Sequence, residues 1–253
     1  MSSVRLDPLP WSWTRLSLAQ RCSYAFFLET TSLIPSDQKG WKRKETEIGL
    51  ALHRLARLLL ERQGEVTITF GDDWIVPPSI FLSLQDFVVK ELPKLKAMVG
   101  PDTELLPELQ IRLDEKLEPD FGWPNGFIVG SLDLSLYSPT TKTCLIIDYK
   151  TGDLDEASLV SYYRPQLELY ALLFHRGYAP IERIGLLLRA GRSSESFWLT
   201  DQFEDFSLKS SIAHLQGHIA KAHENLRVIQ PTKNGLCRYC SVRSRCPIYE
   251  GDD

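Results

Sequence analysis

The chain has 253 residues, 43% hydrophobic and 25% charged, and its 29 Lys and Arg against 33 Asp and Glu leave a formal net charge of −4. That is the composition of an ordinary globular protein long enough to bury a sizeable core, and it speaks against a protein that coats nucleic acid through bulk positive charge. No apolar run reaches the roughly eighteen residues of a membrane span, and Met1-Ser-Ser-Val-Arg-Leu-Asp-Pro8 lacks the apolar stretch of a secretory signal, so a cytoplasmic location away from membranes is expected.

In chain order, the pattern predicts a helix over residues 13 to 30, which carries Cys22, and then a basic loop through about residue 43. Lys39, Lys42, Arg43 and Lys44 surround Trp41. Such a run reads either as a solvated face or as a phosphate contact, with Trp41 a stacking platform for an unpaired base. From Glu45 to Gln63, apolar Ile48, Leu52, Leu55, Leu59 and Leu60 recur at helical spacing, and Gly64 is a fitting stop. His53 lies on that helix beside its apolar face. Pro77-Pro78 followed by Ile80, Phe81, Leu84, Phe87, Val88 and Leu92 predicts a further helix in a helical insertion. Strands follow near 105–114, 126–137 and 143–149, the last two joined by a turn at Ser138-Pro-Thr-Thr-Lys142. Arg164-Pro165-Gln166 opens another helix, strands return near 183–189 and 195–199, and a long helix covers 205–226.

This order predicts an α/β fold, a mixed central sheet flanked by helices. It is expected as a single domain over 1–253. Its approximate parts are an N-terminal helix over 1–43, a helical region over 44–104, a core over 105–200, and a C-terminal helix with a cysteine cluster over 201–253.

Asp133 sits inside one strand, and Asp148 and Lys150 end the next. A carboxylate within a strand is costly unless paired or metal-bound, and residues two apart on a strand point to the same face. Two acidic groups that can hold a divalent ion, with an ammonium beside them, are what metal-assisted phosphodiester cleavage requires. Gln166 and Tyr170, four apart, share a helix face. They form a polar pair for the nucleic acid or the attacking water, or simply part of an amphipathic surface.

Five cysteines occur, three of them in Cys237-Arg-Tyr-Cys240-Ser-Val-Arg-Ser-Arg-Cys246. That clustering favours metal ligation over disulfides in a reducing compartment. Cys22 is the natural fourth ligand, which would join the two ends of the chain, while Cys144 in its apolar strand reads as a small hydrophobe. Four thiolates suit either Zn²⁺ or an iron–sulfur cluster.

The ordered set Gly49/His53, Gly130/Asp133, Asp148/Lys150 and Gln166/Tyr170 (GxxxH, GxxD, DxK, QxxxY) resembles the RecB-type branch of the PD-(D/E)XK nuclease superfamily. The resemblance implies a restriction-endonuclease-like core in which His53, Asp133, Asp148 and the carbonyl of Tyr149 ligate Mg²⁺ or Mn²⁺. It also implies that Lys150 positions or activates water, with Glu108 a further acidic group on the preceding strand. One cysteine before the core and a Cx2Cx5C cluster after it resembles the iron–sulfur members, the AddB-type repair nucleases and the CRISPR-adaptation exonucleases. This implies a [4Fe–4S] cluster on Cys22, Cys237, Cys240 and Cys246. The expected activity is exonucleolytic cleavage of single-stranded DNA ends or overhangs, in repair, recombination or CRISPR spacer acquisition. No GxxxxGK[ST] phosphate loop occurs, so unwinding would fall to a helicase partner, and an integrase is the other partner implied. A nucleic-acid-binding or partner subunit with weak or no nuclease activity is the alternative.

Overall fold

The computed structural model describes residues 10–31, 41–66, 76–120, 126–150, 163–190, 195–235, 237 and 240–249. The chain divides into two compact units. One comprises residues 44–111 and 130–208, the other residues 1–43, 112–129 and 209–253.

Most of the sheet lies in the larger unit. Its strands are β1 (Glu104–Leu113), β2 (Ile128–Ser138), β3 (Thr143–Lys150), β4 (Arg183–Ala190), β5 (Ser196–Trp198) and β6 (Glu204–Asp205), in the order β1-β2-β3-β4-β5, with β6 also on β4. β2 and β3 form an antiparallel hairpin in which Leu134 faces Ile147 and Tyr137 faces Cys144. β3 and β4 are parallel, with Asp148 beside Leu188 and Tyr149 beside Arg189. The connection between them carries the helix Arg164–Gly177, the crossover that a parallel pair demands. β5 runs antiparallel to β4. The sheet is thus mixed and flanked by helices, as expected.

Period-2 alternation assigns the two faces of β3. Leu145, Ile147 and Tyr149 join Leu134, Leu136 and Leu187 in a core packed against three helices, α3 (Trp41–Glu61), α4 (Pro78–Asp86) and α5 (Leu92–Val99). Asp148 and Lys150 turn to the opposite face. α3 is longer at its start than the expected helix from Glu45, and residues 41–43 belong to it rather than to a loop. Its end follows the sequence: Gly64 N–H donates to the Leu59 carbonyl (2.8 Å) and Gln63 N–H to that of Leu60 (3.2 Å), with Gln63 (φ 52°) and Gly64 (φ 83°) both left-handed. This is a Schellman stop with Gln63 at its first left-handed position, and Gly64 continues the left-handed backbone without the penalty a Cβ would bring.

α4 passes into α5 through a π-helical turn, Phe87–Glu91. Buried Arg189 of β4 fastens that turn to the sheet. It donates through Nη2 to the carbonyl and hydroxyl of Ser83 (3.2 and 3.1 Å) and through Nη1 to Ser196 Oγ (3.2 Å), lies 3.3 Å from Glu91 Oε1, and stacks over Phe87.

In the smaller unit the expected helix over 13–30 is two helices, α1 (Trp13–Arg21) and α2 (Ser23–Thr30). Cys22, extended at φ −159° and ψ 102°, ends one and caps the other, its Sγ accepting from the Ala25 N–H at 3.5 Å. A capping side chain needs non-helical backbone beneath it, which helical periodicity cannot reveal. Helix α6 is Arg164–Gly177 of the larger unit, and α7 (Leu208–Leu226) packs on α1. Gln20 Nε2 donates to the His218 carbonyl (2.8 Å), and Asn225 Nδ2 donates to that of Gln20 (2.6 Å). Among the described residues no helix is long and apolar enough to cross a membrane.

Candidate active site

β2 and β3 bring their carboxylates together by register. The ladder that pairs Leu134 with Ile147 sets Asp133 across from Asp148 one step further along. Asp133 is 8% exposed and Asp148 3%, so both must be compensated. Asp133 Oδ2 accepts the Tyr149 N–H at 2.8 Å. Burial, and next the charge of Asp148, push the Asp133 carboxyl well above its ordinary pKa. Asp148 pairs with Lys150 Nζ at 2.5 Å. Burial disfavours the Lys150 charge, but Asp148 outweighs it and raises the ammonium above its ordinary value.

Helix α6 supplies the next layer. Lys150 Nζ lies 3.4 Å from Gln166 Oε1 and 4.9 Å from the centre of the Tyr163 ring, while Gln166 Nε2 donates to the Tyr170 hydroxyl at 2.8 Å. Burial, then Asp148, pushes the Tyr170 phenol up to about 12, so it stays protonated. The close approach of α6 explains Gly130: a Cβ there would stand 2.5 Å from Leu173 Cδ1 and 3.2 Å from the Tyr170 ring.

On the other side of Asp133, α3 presents His53. Its Nδ1 is 3.4 Å from Asp133 Oδ1 and 3.2 Å from Glu108 Oε1. Glu108 reaches this point from a kink in β1, where it adopts φ 51° directly after Pro107. A non-glycine residue held left-handed inside a strand is strained, a feature that collects at functional sites. His53, Glu108 and Asp133 offer ligand atoms within 4.8 Å of one another. One imidazole nitrogen and two carboxylates, one of them kept by burial from ionising freely, form a donor set suited to Mg²⁺ or Mn²⁺.

A model of the PD-(D/E)XK nuclease superfamily matches residues 10–247. The chain belongs to that superfamily. A metal-dependent nuclease acting on nucleic acid is what membership implies, and the carboxylate and lysine geometry is consistent with it. Among solved structures, a proposed exonuclease from Eubacterium rectale is similar at 8% identity and a TM-score of 0.55, covering 100% of this chain and 96% of its own. The crystal structure of SSO0001 aligns at 16% identity and a TM-score of 0.44, over 97% of this chain and 89% of its own. No curated protein sequence matches.

The remaining candidates sit elsewhere. The backbone of Trp41, Lys42, Arg43 and Lys44 forms the first turn of α3, and their side chains lie outside the described residues, as does Lys39. No disulfide joins any of the five cysteines; Cys144 is buried and the other four are half-buried. His53, Glu108 and Asp133 are the one group of three or more potential ligands found close together among the described residues, and the cysteines are not part of it. Two site features escape sequence reasoning. Tyr163, beneath the Lys150 ammonium, carries no signal beyond its place before Arg164-Pro165. The Arg189 anchor behind Tyr149 looks in the sequence like one more strand residue.

Proposed function

We propose that the chain is a metal-dependent deoxyribonuclease of the RecB-like iron–sulfur type, an exonuclease on single-stranded DNA ends or overhangs. The observation that carries this reading is the convergence of His53, Glu108 and Asp133 beside the Asp148–Lys150 pair. In it, His53, Glu108, Asp133, Asp148 and the Tyr149 carbonyl hold Mg²⁺ or Mn²⁺. A divalent ion there supplies Lewis-acid polarisation of the scissile phosphate and makes water a better nucleophile at neutral pH.

This chain's own groups do the rest. Tyr149 N–H fixes the Asp133 carboxylate by donating to Oδ2. Lys150, kept charged by Asp148, orients the attacking water and offsets the negative charge that develops on the phosphoryl oxygens. Gln166 spans Lys150 and Tyr170 and so sets the ammonium's direction, while the neutral Tyr170 keeps its own hydrogen bond.

Contacts within the smaller unit support a [4Fe–4S] cluster on Cys22, Cys237, Cys240 and Cys246. Residues flanking Cys22 bond to segments flanking the C-terminal trio. Ser23 Oγ donates to the Val228 carbonyl (2.9 Å) and accepts from Gln230 N–H (3.1 Å), Tyr24 OH donates to the Arg245 carbonyl (3.2 Å), and Asn234 Nδ2 donates to that of Arg21 (3.5 Å). Backbone N–H groups already point at two of the sulfurs, Ala25 at Cys22 and Asn234 at Cys237 (3.2 Å), the kind of donor that tunes a cluster. Thiolates alone would also suit zinc, and iron–sulfur rests on the resemblance of the spacing. Repair, recombination or spacer acquisition, with a helicase or integrase partner, is the setting that goes with this assignment.

Anaerobic purification followed by iron, sulfide and zinc analysis tests the cluster, and digestion of 5′- and 3′-labelled single strands with Mg²⁺ or Mn²⁺ tests the chemistry. Brown protein with iron and sulfide, and metal-dependent loss of label, are expected. Colourless protein with stoichiometric zinc overturns the cluster, and undigested strands leave a binding subunit in place of a nuclease.

A further inference from the structure

The helix that presents His53 has an uncovered ridge, and we propose that Arg57, on that ridge, holds the phosphate next to the scissile one in a bound single strand. The inference rests on the nuclease reading above and names a substrate contact within it. Leu50, His53 and Arg57 lie at i, i+3 and i+7, one row on α3. The opposite row, Leu52, Leu55, Ala56 and Leu59, is buried. On the exposed row Leu50 is 56% exposed, and a Cβ built at neighbouring Gly49 would meet nothing within 4 Å. A strand can therefore lie along the helix over Gly49 and Leu50, pass the metal-ligand group at His53, and continue one turn further. That turn advances about 5.4 Å, comparable to the step between neighbouring phosphates on an extended strand.

Arg57 stands at that position with a side chain 61% exposed. It follows His53 by four residues on α3, and His53 Nδ1 is 3.2 Å from Glu108 Oε1. In the free protein its Nε lies 2.8 Å from Glu61 Oε1, one turn on. An exposed ion pair of this kind is weak and screened, whereas a guanidinium can meet a phosphate through two parallel N–H bonds. Glu61 thus holds Arg57 extended along the ridge and yields it when a phosphate arrives. The competing explanation is that Arg57 and Glu61 are only an i,i+4 staple of α3, and the two differ for Glu61: loss of a staple leaves binding unchanged, whereas loss of a competitor for Arg57 tightens it.

The test is binding of a fluorescein-labelled oligothymidylate, read by anisotropy across a KCl series with Ca²⁺ in place of Mg²⁺, for wild type, Arg57→Ala, Arg57→Lys and Glu61→Gln. One lost phosphate contact should make the slope of log Kd against log salt shallower by about 0.7 in Arg57→Ala, with several-fold weaker binding at low salt. Arg57→Lys should keep the slope, and Glu61→Gln should bind several-fold more tightly than wild type. Melting curves confirm that each variant is folded. An Arg57→Ala slope equal to wild type overturns the proposal, and so does Glu61→Gln binding no tighter than wild type, the result a staple would give. Binding is read without turnover, so absence of cleavage by the wild type would sink the nuclease reading while the Arg57 slope is judged on its own.

Discussion

Gly130→Ala adds one methyl group to β2 at the point where α6 comes closest. The new Cβ would sit 2.5 Å from Leu173 Cδ1 and 3.2 Å from two carbons of the Tyr170 ring, where carbon atoms prefer about 3.5–4.0 Å. The Leu173 overlap is thus on the order of 1 Å and the Tyr170 overlap a few tenths. Leu173 is fully buried, so its tip has little room to turn, and Tyr170 is tied by its hydroxyl to Gln166. Relief must come from moving α6 away from the sheet. Overpacking of this kind costs about 1–3 kcal/mol, and in a chain of this size each kcal/mol lowers Tm by roughly 2–4 °C. The same movement shifts Gln166 and Tyr170 against Lys150, and a misplacement near 1 Å can cost up to about a hundredfold in rate. Calorimetry and single-strand digestion should therefore both register the change. Gly49→Ala is the control for stability alone: a Cβ there meets nothing within 4 Å, and mid-helix alanine should stabilise α3 by about 0.5–1 kcal/mol. Gly130→Ala protein that melts and digests like wild type would refute the argument that this glycine exists to admit α6.

Asp133 makes a prediction in pH. A carboxyl whose folded pKa is raised binds its proton more tightly in the folded state, so its contribution to stability is fully present below the ordinary carboxylate pKa and is lost as pH rises through the raised value. Metal-free protein should lose stability over that window. Asp133→Asn, whose amide oxygen can still accept the Tyr149 N–H, should be more stable than wild type at neutral pH in EDTA and gain nothing from Mn²⁺; a melt series with the same pH slope in both proteins would contradict this. Wild type should instead be stabilised by Mn²⁺, by about 2.7 kcal/mol at a hundred times Kd, and His53→Ala should lose most of that gain. Lys150→Gln should reduce cleavage by roughly 10²–10⁴, but it also leaves Asp148, 3% exposed, without its counter-charge, a loss of about 3–5 kcal/mol. The double variant Asp148→Asn/Lys150→Gln should recover the stability and not the activity, and melting temperatures that fail to recover would show that the pair is not the source of the loss.

Much of the architecture is local and so can be read without coordinates. α3, its stop at Gly64, the β2–β3 hairpin and the α6 crossover each follow from apolar spacing of two or of three to four residues, and from glycine and proline at the breaks, because those signals act between neighbours in the chain. The order of Gly49/His53, Gly130/Asp133, Asp148/Lys150 and Gln166/Tyr170 likewise identifies a superfamily by sequence alone. Where local signals compete, the reading gives way. Cys22 breaks the first helix because its sulfur caps the second, and α3 begins four residues earlier than its apolar pattern.

Tertiary structure decided how the site is assembled. Ladder register puts Asp133 across from Asp148, and a left-handed residue after Pro107 swings Glu108 to His53. The depth of the core raises the Asp133 pKa and turns Lys150 into a paired buried cation. Asp133 and Asp148 are 15 positions apart and His53 and Glu108 are 55 apart, on different elements, and the energies of such contacts depend on burial and distance, quantities that no spacing along the chain contains.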